Sequence, residues 1–552
     1  MQLEEIFQSL NQNPDDAPAL KALDLCLRDE VPELAVYWLE FQPECYAALT
    51  SVLLRKTHIT LGIARLAAAQ VCARHGINGE LQPVSCELLS ALSTDRLACL
   101  LLEETVTTSL ELERLLTCVR PFLLQQYPDG QPLLSCLRPL IVAMAHQAFN
   151  NEFLWAVTDR EDQMVTVLGK ELERALGAEE VESAELLVLL FALYRPLAAH
   201  PAAAAMAARP LSDFSSDLHS LLDRVLHQPR CEQELRATVP MLEEVQDPVS
   251  RMVRSQYEAN PYPPWLRFTG SQKTTLEGIR RVRPGFDWPE AFRGQQLQIL
   301  VAGCGTGQHS LSVALGNPDA KILALDLSTA SLAYAMRMTE QHGVRNISFL
   351  HADLLSLHKL GRKFHHIECA GTLHHMSERE RARAWAVLTD CLHPDGTLKI
   401  GVYSRVARLL VTHLRAGIQR EGFSGTPFEI RQFRARLMQD GASSKLLAQL
   451  ARSSDFFSIS GVRDLLFHVQ EYQYTVAEIE ALTRELGLEL VGVTIPRTIE
   501  RMREPHREGR VTVETFDQWR SWEMSYAGSL KMFQFCLQKP ASVTLKTGVH
   551  RT

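Results

Sequence analysis

Apolar residues recur with two different spacings along this chain of 552 residues. In the first half, segments such as LELERLLTCVRPFLLQQ and VESAELLVLLFALYRPLAAH place leucine, alanine and valine three and four positions apart, the spacing that gives a helix one buried face. Only six of the 29 glycines precede residue 251, so helix breakers are sparse there. The pattern predicts a large all-helical N-terminal domain over residues 1–240, without a sustained 34-residue repeat.

From residue 297 onward, short apolar runs alternate with helical patterns. LQILVAG, KILALDLS, ISFLHADL, HHIECAG and GTLKIGVYS are typical of buried strands, and ASLAYAMRMTEQHG is typical of a helix between them. Such alternation predicts a parallel sheet covered by helices on both faces, with ligands at the carboxyl ends of the strands. We therefore expect an α/β core with a doubly wound, Rossmann-like sheet.

Composition divides the rest of the chain further. Closely spaced prolines with Tyr257, Tyr262 and Trp265 predict an ordered, non-helical strap, whose rings either close over a ligand or pack at a domain seam. A helical stretch after Ser404 interrupts the sheet and is a candidate substrate cap. The predicted segments are the helical domain 1–240, the Pro/aromatic strap 241–296, the core 297–404, the helical insertion 405–470, the C-terminal part of the sheet 471–540 and a flexible tail 541–552.

Charge and cysteine spacing exclude several classes of partner. The formal net charge is −8 and the isoelectric point is near 6.2, so the chain lacks the basic surface that binds nucleic acid through its phosphates. The 12 cysteines show no CxxC spacing, which argues against a metal site or a redox pair. The N-terminus MQLEEIFQSL is acidic, and no run approaches the ~18 apolar residues of a membrane span. We expect a cytoplasmic protein with no membrane and no nucleic-acid partner.

The segment VAGCGTGQHS places a glycine-rich turn between a predicted strand and a helix. It lacks the Gly-Lys-Ser/Thr of a phosphate-binding loop, and Gln308 occupies the position of the third glycine in the dinucleotide pattern. Gly303, Gly305 and Gly307 would let the backbone approach a ligand closely. Asp326, at the end of the next strand, would accept hydrogen bonds from ribose hydroxyls, which suits either NAD or S-adenosylmethionine.

The C-terminal strands favour S-adenosylmethionine. LELVGVTIP and KMFQFCLQKP are separated by more than 30 residues without an evident apolar helix. This predicts a last strand inserted antiparallel to its neighbours, as in the seven-stranded methyltransferase sheet, rather than a further crossover unit.

The motifs VAGCGTGQHS, ALDLS, HADL and ECAGTLHHM resemble those of class I S-adenosylmethionine-dependent methyltransferases. DPVSRMVRSQYEANPYPPW, LKIGVYSRVAR and RDLLFHVQEYQYT extend the resemblance to bacterial members that are often fused to tetratricopeptide repeats. Rickettsial protein-lysine methyltransferases are similar in length and layout. In the helical half, NNEFLWAVTDRE is the piece that most resembles this group.

The resemblance implies a set of residues for S-adenosyl-L-methionine. The three glycines would contact its methionine portion, Asp326 its ribose, and Asp353 the adenine amino group, unless Asp353 only caps a helix. Cys304 would be small filler, because nothing in the sequence activates its thiol. The implied cofactor residues are Gly303, Cys304, Gly305, Gly307, Asp326, Leu327, Asp353, Leu354 and Tyr262.

The candidates near the reacting methyl group follow the fourth strand. They are Glu368, Thr372, His374 and His375, with Tyr257 added from the strap. A histidine here would move a proton; alternatively, both histidines only cap the next helix and pack beside the cofactor.

The methyl acceptor is less constrained by the sequence. The segment after the fourth strand is not the Asn-Pro-Pro-Tyr of many amino-methylating enzymes, which argues against nucleobase or glutamine amides. The long helical regions favour a protein substrate, and the resemblance favours lysine. A small-molecule O- or N-methyltransferase, whose helical domain forms a homodimer, and a non-catalytic S-adenosylmethionine sensor are the alternatives.

Overall fold

A computed structural model describes residues 3–28, 40–56, 59–78, 83–177, 181–263, 265–269, 273–439, 444–495, 512–525 and 532–540. The chain divides into two compact units. The first unit contains Met1–Glu232, Pro263–Thr269 and Gly417–Phe467, and the second contains Gln233–Tyr262, Gly270–Ala416 and His468–Thr552.

The elements are numbered in chain order. The helices are α1 Leu3–Gln12, α2 Ala17–Arg28, α3 Pro43–Arg55, α4 Leu61–His75, α5 Cys86–Thr94, α6 Arg96–Glu104, α7 Leu110–Gln125, α8 Gln131–Cys136, α9 Arg138–Asn150, α10 Asp159–Gly177, α11 Val181–Ala192, α12 Ala203–Ala208, α13 Ser216–Leu222, α14 Gln228–Arg236, α15 Pro248–Ala259, α16 Thr275–Val282, α17 Gln308–Gly316, α18 Thr329–Gln341, α19 Glu378–Asp390, α20 Leu409–Arg420, α21 Pro427–Gln439, α22 Ser444–Leu450, α23 Ile459–Val462, α24 Val476–Glu485 and α25 Phe516–Ser525. The strands are β1 Gln298–Ala302, β2 Lys321–Asp326, β3 Ile347–His351, β4 Phe364–Ala370, β5 Leu392–Tyr403, β6 Glu489–Val493 and β7 Met532–Gln538.

The first unit is helical, as its leucine spacing predicts. In α7, Leu112, Leu116 and Leu123 lie on the buried face, and the side chain of Ser109 caps the helix by accepting from the Leu112 amide at 3.1 Å. No helix in the described ranges has the length and hydropathy needed to cross a bilayer.

The first unit contains most of a segment that the sequence predicted as a separate insertion. Residues 417–467 pack in the same unit as the N-terminal helices, whereas 405–470 was predicted as one insertion. The buried Arg434 donates to the carboxylate of Glu113 within this unit and joins two parts of the chain more than 300 residues apart in sequence. The function of this segment as a substrate cap stays a prediction, and the predicted tail 541–552 lies outside the described residues.

The second unit contains a seven-stranded sheet in the order β3-β2-β1-β4-β5-β7-β6. All neighbouring pairs from β3 to β5 are parallel, and β7 is antiparallel to both β5 and β6. Leu300 in the central strand β1 pairs with Leu323 in β2 and Ile367 in β4, and all three are buried. The doubly wound sheet with an antiparallel last strand is therefore confirmed. Its parallel strands end at one edge, where ligands bind in folds of this kind.

The prediction of a non-helical strap is wrong over much of its length, because Pro248–Ala259 forms α15. Asp247 caps this helix by accepting from the amides of Val249 and Ser250, and Pro248 is in the first turn, where a missing amide proton costs nothing. A second helix, α16, has a capping box formed by Thr274 and Glu277. The sequence contained both start signals, but the nearby prolines obscured them.

The expectation that no apolar helix separates the last two strands is also wrong. Helix α25 lies between β6 and β7, and its Trp519 and Trp522 are buried. The ring of Trp519 packs 5.1 Å from Phe533 and 5.0 Å from Phe535 in β7, measured between ring centroids. The two tryptophans bury the inner face of a helix that is otherwise polar, so its hydrophobic pattern was too sparse to detect.

We predict that Trp519→Ala lowers the free energy of unfolding of the second unit by about 3–5 kcal/mol, because it removes a fully buried ring and leaves a cavity against β7. Met524→Ala is the matched control, since Met524 lies on the same helix and is 83% exposed. Urea unfolding followed by near-ultraviolet circular dichroism measures both. Equal midpoints for the two variants would contradict the packing of α25.

Candidate active site

The loop after β1 approaches two neighbouring segments too closely for a side chain. Gly303 has a φ of +71°, and a β-carbon there would lie 1.9 Å from Oγ1 of Thr372, in the turn after β4. Gly307 has a φ of +88°, and its β-carbon would lie 2.5 Å from that of Ala335 in α18. Gly305, with a φ of +53°, also has left-handed backbone geometry. The backbone of this loop is thus held against the turn after β4 and against α18.

Hydrogen bonds fix the loop beside β2. The amides of Gly303 and Cys304 both donate to the carbonyl oxygen of Leu325 at 2.9 Å, and the amide of Thr306 donates to the carbonyl oxygen of Tyr262 at 3.3 Å. Cys304 is buried, and burial raises the pKa of its thiol well above the usual range. The thiol is therefore not activated as a nucleophile.

Asp326 lies at the C-terminal end of β2, and two backbone amides orient its carboxylate. Oδ2 accepts from the Gly305 amide at 2.8 Å and Oδ1 from the Ser328 amide at 2.9 Å. Burial raises the pKa of the carboxyl group, while the two amides act in the opposite direction. Each carboxylate oxygen has a second lone pair and the side chain is only half-buried, so Asp326 can also accept hydrogen bonds from a ligand diol.

Asp353 follows β3 and caps a short 3₁₀ helix, Leu354–Leu360, by accepting from the Leu355 amide at 2.9 Å. The capping role considered from the sequence is therefore present, and a contact with adenine stays a prediction. Leu354 is buried and Leu327 is half-buried, so both border the two strand ends that carry the acidic residues.

Tyr257, near the end of α15, connects the strand ends with a group of histidines. Its carbonyl oxygen accepts from Oγ of Ser328 at 3.0 Å, just beyond Asp326. Its hydroxyl oxygen lies 3.0 Å from Nε2 of His468, and its ring centroid lies 6.4 Å from that of His375. The carbonyl oxygens of Tyr257 and Tyr262 thus lie beside the ends of β1 and β2, and closure of the two rings over a ligand stays a prediction.

Three histidines stack beside the ends of β4 and β5. The rings of His375 and His468 are 3.7 Å apart at an interplanar angle of 19°. The ring of His374 lies 4.3 Å from His375 and 3.9 Å from Tyr403. All three histidines are buried, and within the described residues neither ring nitrogen of His374 has a hydrogen-bond partner.

The main chain of Gln470 fixes where two of these rings carry their protons. Its carbonyl oxygen accepts from Nδ1 of His375 at 2.9 Å, so His375 has its proton on Nδ1. Its amide donates to Nδ1 of His468 at 3.1 Å, so neutral His468 has its proton on Nε2 and donates it to the Tyr257 hydroxyl oxygen. The two stacked rings are therefore opposite tautomers.

Burial lowers the pKa of His375 to about 4 and outweighs the Gln470 carbonyl and Glu471, which act in the opposite direction; Arg408 and Arg415 add to the lowering. Burial likewise holds the pKa of His374 and of His468 well below the usual range. The Arg408 guanidinium lies 3.9 Å from the centre of the Tyr403 ring and pairs with the buried Glu471. The environment therefore disfavours any added positive charge.

Glu368 does not join this group. Its carboxylate lies inside β4, where Oε2 is 2.7 Å from Nε2 of His309 in α17 and 2.7 Å from Nζ of Lys399 in β5. Burial alone would raise the pKa of Glu368, but the charge of Lys399 and the contact with His309 hold it well below the usual range. The side chain links α17 to β4 and β5, and its part in methyl transfer stays a prediction.

Sequence reasoning missed His468, Tyr403 and Gln470. His468 lies in RDLLFHVQEYQYT, a segment that resembles the methyltransferase group. No local pattern connects it with His375, which lies 93 positions earlier in the chain. The Glu368–Lys399 pair had a detectable signal, since two charged residues occur in neighbouring apolar strands. A charge inside a buried strand requires a partner.

Comparisons with known proteins agree with this geometry. Residues 299–396 match a family described as a methyltransferase domain. An uncharacterised protein of Synechococcus sp. is 29% identical over 267 residues, 45% of this chain and 60% of that protein. A tRNA (guanine-N(7)-)-methyltransferase of Rubrobacter xylanophilus is 37% identical over 97 residues, 18% of this chain and 42% of that protein. The chain thus covers less than two thirds of either relative.

Residues 299–396 are a methyltransferase domain. The domain is of the class I, S-adenosylmethionine-dependent kind. Among solved structures, PKMT2 from Rickettsia typhi is 16% identical with a TM-score of 0.37, over 50% of this chain and 54% of that one, a similarity too low to support a conclusion.

The residues present fit S-adenosylmethionine. The glycine loop leaves backbone where β-carbons would collide with Thr372 and Ala335, and the half-buried Asp326 carboxylate retains lone pairs for a ribose. We assign the glycine loop and Asp326 as the residues that would hold the cofactor, and this assignment is a prediction.

We predict that Gly303→Ala weakens S-adenosylhomocysteine binding at least tenfold, because the added methyl group would collide with Thr372 and displace the loop. Gly361→Ala is the matched control: its φ of +59° is also left-handed, but a β-carbon there has nothing within 4 Å. Isothermal titration calorimetry measures both affinities. The loop assignment fails if the two variants bind equally well.

We also predict a pH dependence of stability from His375. Its pKa is about 4 when folded and about 6.5 when unfolded, so its contribution is complete above pH 6.5 and is lost as the pH falls from 6.5 towards 4. The free energy of unfolding should decline between pH 7 and pH 5 by about 2 kcal/mol more in the wild type than in His375→Gln. Urea titrations at both pH values measure this difference. His413→Gln, on the exposed face of α20, should keep the wild-type slope, and an unchanged slope in His375→Gln would contradict the prediction.

Proposed function

We propose that the chain transfers the methyl group of S-adenosylmethionine to a protein side chain, and that the acceptor is the amine of a lysine. The observation that carries the proposal is the buried histidine stack, in which burial, with Arg408 acting in the same direction, lowers the pKa of His374, His375 and His468. An amine acceptor reacts only as the neutral base, and a free lysine is protonated at physiological pH. A site that disfavours positive charge on imidazoles also disfavours it on an entering amine.

The bound cofactor supplies an electrophilic methyl group on a sulfonium centre. The chain's own residues would bind and orient the reactants: the glycine loop lies on one side, and α15 holds Tyr257 with its carbonyl oxygen on Ser328 and its hydroxyl group on His468. Because His468 donates to the Tyr257 oxygen, that oxygen is held in one orientation next to the stack. Positioning of this kind supplies much of the acceleration in an in-line transfer.

A protein acceptor is supported by the size of the helical unit. A small metabolite needs a pocket of about 300–1,000 Å³, whereas the first unit contains most of the N-terminal helices together with residues 417–467. The resemblance to rickettsial protein-lysine methyltransferases favours lysine as the side chain. A small-molecule acceptor is the alternative outcome of the test.

We predict that the full chain, incubated with methyl-labelled S-adenosylmethionine and a native bacterial lysate, labels protein rather than small molecules or nucleic acid. The label should survive alkali and acid hydrolysis and be recovered as methylated lysine, because an N-methyl group is stable where a methyl ester is not. Gly303→Ala should label nothing above background. The full chain is required, because deletion of residues 1–235 would cut the first unit and leave 417–467 without its partners.

Label confined to the small-molecule fraction would replace lysine methylation by metabolite methylation. Ribonuclease-sensitive label would contradict the absence of a nucleic-acid substrate. Cofactor binding with no transfer to any fraction would favour a sensor.

A further inference from the structure

Glu258 is an acidic residue at the unfavourable end of its own helix. It is the penultimate residue of α15, where the helix dipole presents partial negative charge, and the last turn of α15 has no basic residue. Arg254, four positions earlier, lies 3.7 Å from the carboxylate, but this order of base and acid is the less favourable one for such a pair. The Glu258 carboxylate therefore contributes little to the stability of α15 itself.

The carboxylate binds the first turn of a different helix of the second unit, α18. Oε1 of Glu258 accepts from the amide of Thr329 at 2.7 Å and from its hydroxyl group at 2.9 Å, and Oε2 accepts from the Ala330 amide at 3.2 Å. A helix leaves the amides of its first turn without an internal partner, and its dipole favours an anion there. Glu258 thus joins the end of α15 to the start of α18.

The start of α18 also has a cap of its own. The side chain of Ser328 accepts from the Ser331 amide at 3.0 Å. The same hydroxyl group donates to the carbonyl oxygen of Tyr257 at 3.0 Å, one residue before Glu258. Two consecutive residues of α15 are therefore bonded to the three consecutive residues 328–330, and these bonds fix the two segments relative to each other.

The segment that these bonds fix directly follows the residue assigned to the ribose. Oδ1 of Asp326 accepts from the Ser328 amide at 2.9 Å. The carbonyl oxygen of Leu327, between them, accepts from Nε2 of the buried His351 at 2.9 Å. A shift of residues 328–330 would move the Ser328 amide, and the Asp326 carboxylate would lose one of the two amides that orient it.

We propose that Glu258 is a positioning residue for cofactor binding. By holding α15 on the first turn of α18, it keeps the Ser328 amide where that amide orients Asp326. Without Glu258, the segment has the binding-competent arrangement in only a fraction of the molecules, and the apparent affinity falls in proportion to that fraction. The inference rests on the assignment of Asp326 to the cofactor, and it is independent of which acceptor is methylated.

Isothermal titration of the full chain with S-adenosylhomocysteine tests this role. Glu258→Ala should weaken binding by about tenfold or more, as expected if the competent arrangement falls to about a tenth of the molecules. Glu258→Gln keeps a side-chain oxygen for the Thr329 amide and should bind within about threefold of the wild type. Glu277→Ala is the matched control: Glu277 also accepts from a backbone amide at the start of a helix, α16, and its loss should leave the affinity unchanged.

Thr329→Val is a milder variant that keeps the size of the side chain, and it serves if Glu258→Ala does not fold, as judged by circular dichroism. It removes the hydroxyl group that donates to Glu258, so binding should weaken about threefold. Unchanged affinity in Glu258→Ala and Thr329→Val would overturn the proposal, even if the melting temperature falls. An equal loss of affinity in Glu277→Ala would also overturn it, because the effect would then follow from stability alone.

Asp326→Ala separates the positioning role from the assignment on which it rests. Wild-type affinity in Asp326→Ala would overturn that assignment and with it the role of Glu258. Weakened binding in Asp326→Ala beside unchanged binding in Glu258→Ala would overturn the positioning role alone.

Discussion

The close approach of Gly303 to Thr372 is the constraint around which the second unit is organised. Since there is no space for a β-carbon, the loop after β1 and the turn after β4 are held at van der Waals distance. The same loop is bonded to β2 through the carbonyl oxygen of Leu325 and the carboxylate of Asp326. Three strand ends are thereby held at one edge of the sheet, where parallel topology leaves space for a ligand.

Beside this edge of the sheet, the surroundings lower the pKa of every histidine in the stack. Burial and nearby guanidinium groups lower the pKa of each of three stacked histidines, and Gln470 assigns opposite tautomers to two of them. Burying these polar rings costs free energy and contributes little to stability. This environment favours neutral bases, and the proposed methylation of an amine depends on that property. The buried Glu368 is not part of this group, since its carboxylate contacts Lys399 and His309.

Buried charges also organise the first unit, in two contrasting ways. Glu113 and Arg434 form a complete pair that joins the N-terminal helices to residues 417–467. Burial alone would raise the pKa of Glu104, but the surrounding Arg224, Arg267 and Lys56 outweigh it and lower the pKa to about 2.

The sequence by itself determined the features that depend on neighbouring positions. Leucine spacing predicted the helices of the first unit, alternation of short apolar runs predicted the doubly wound sheet, and the glycines with Asp326 located the candidate cofactor loop. Helix α25 was not predicted, because two tryptophans provide almost all of its buried face. Helix α15 was not predicted, because the adjacent prolines argued against a helix more strongly than the capping residue Asp247 argued for one.

Only the tertiary structure decided which distant residues meet. Tyr257 and His468 are 211 positions apart, and Arg434 and Glu113 are 321 apart, so no local period relates them. The contact of Glu368 with Lys399 likewise joins two strands, and a role of Glu368 at the reacting centre stays a prediction. Secondary structure follows from the backbone preferences and burial of each short segment. Side-chain partners follow from packing between segments, which only the folded chain specifies.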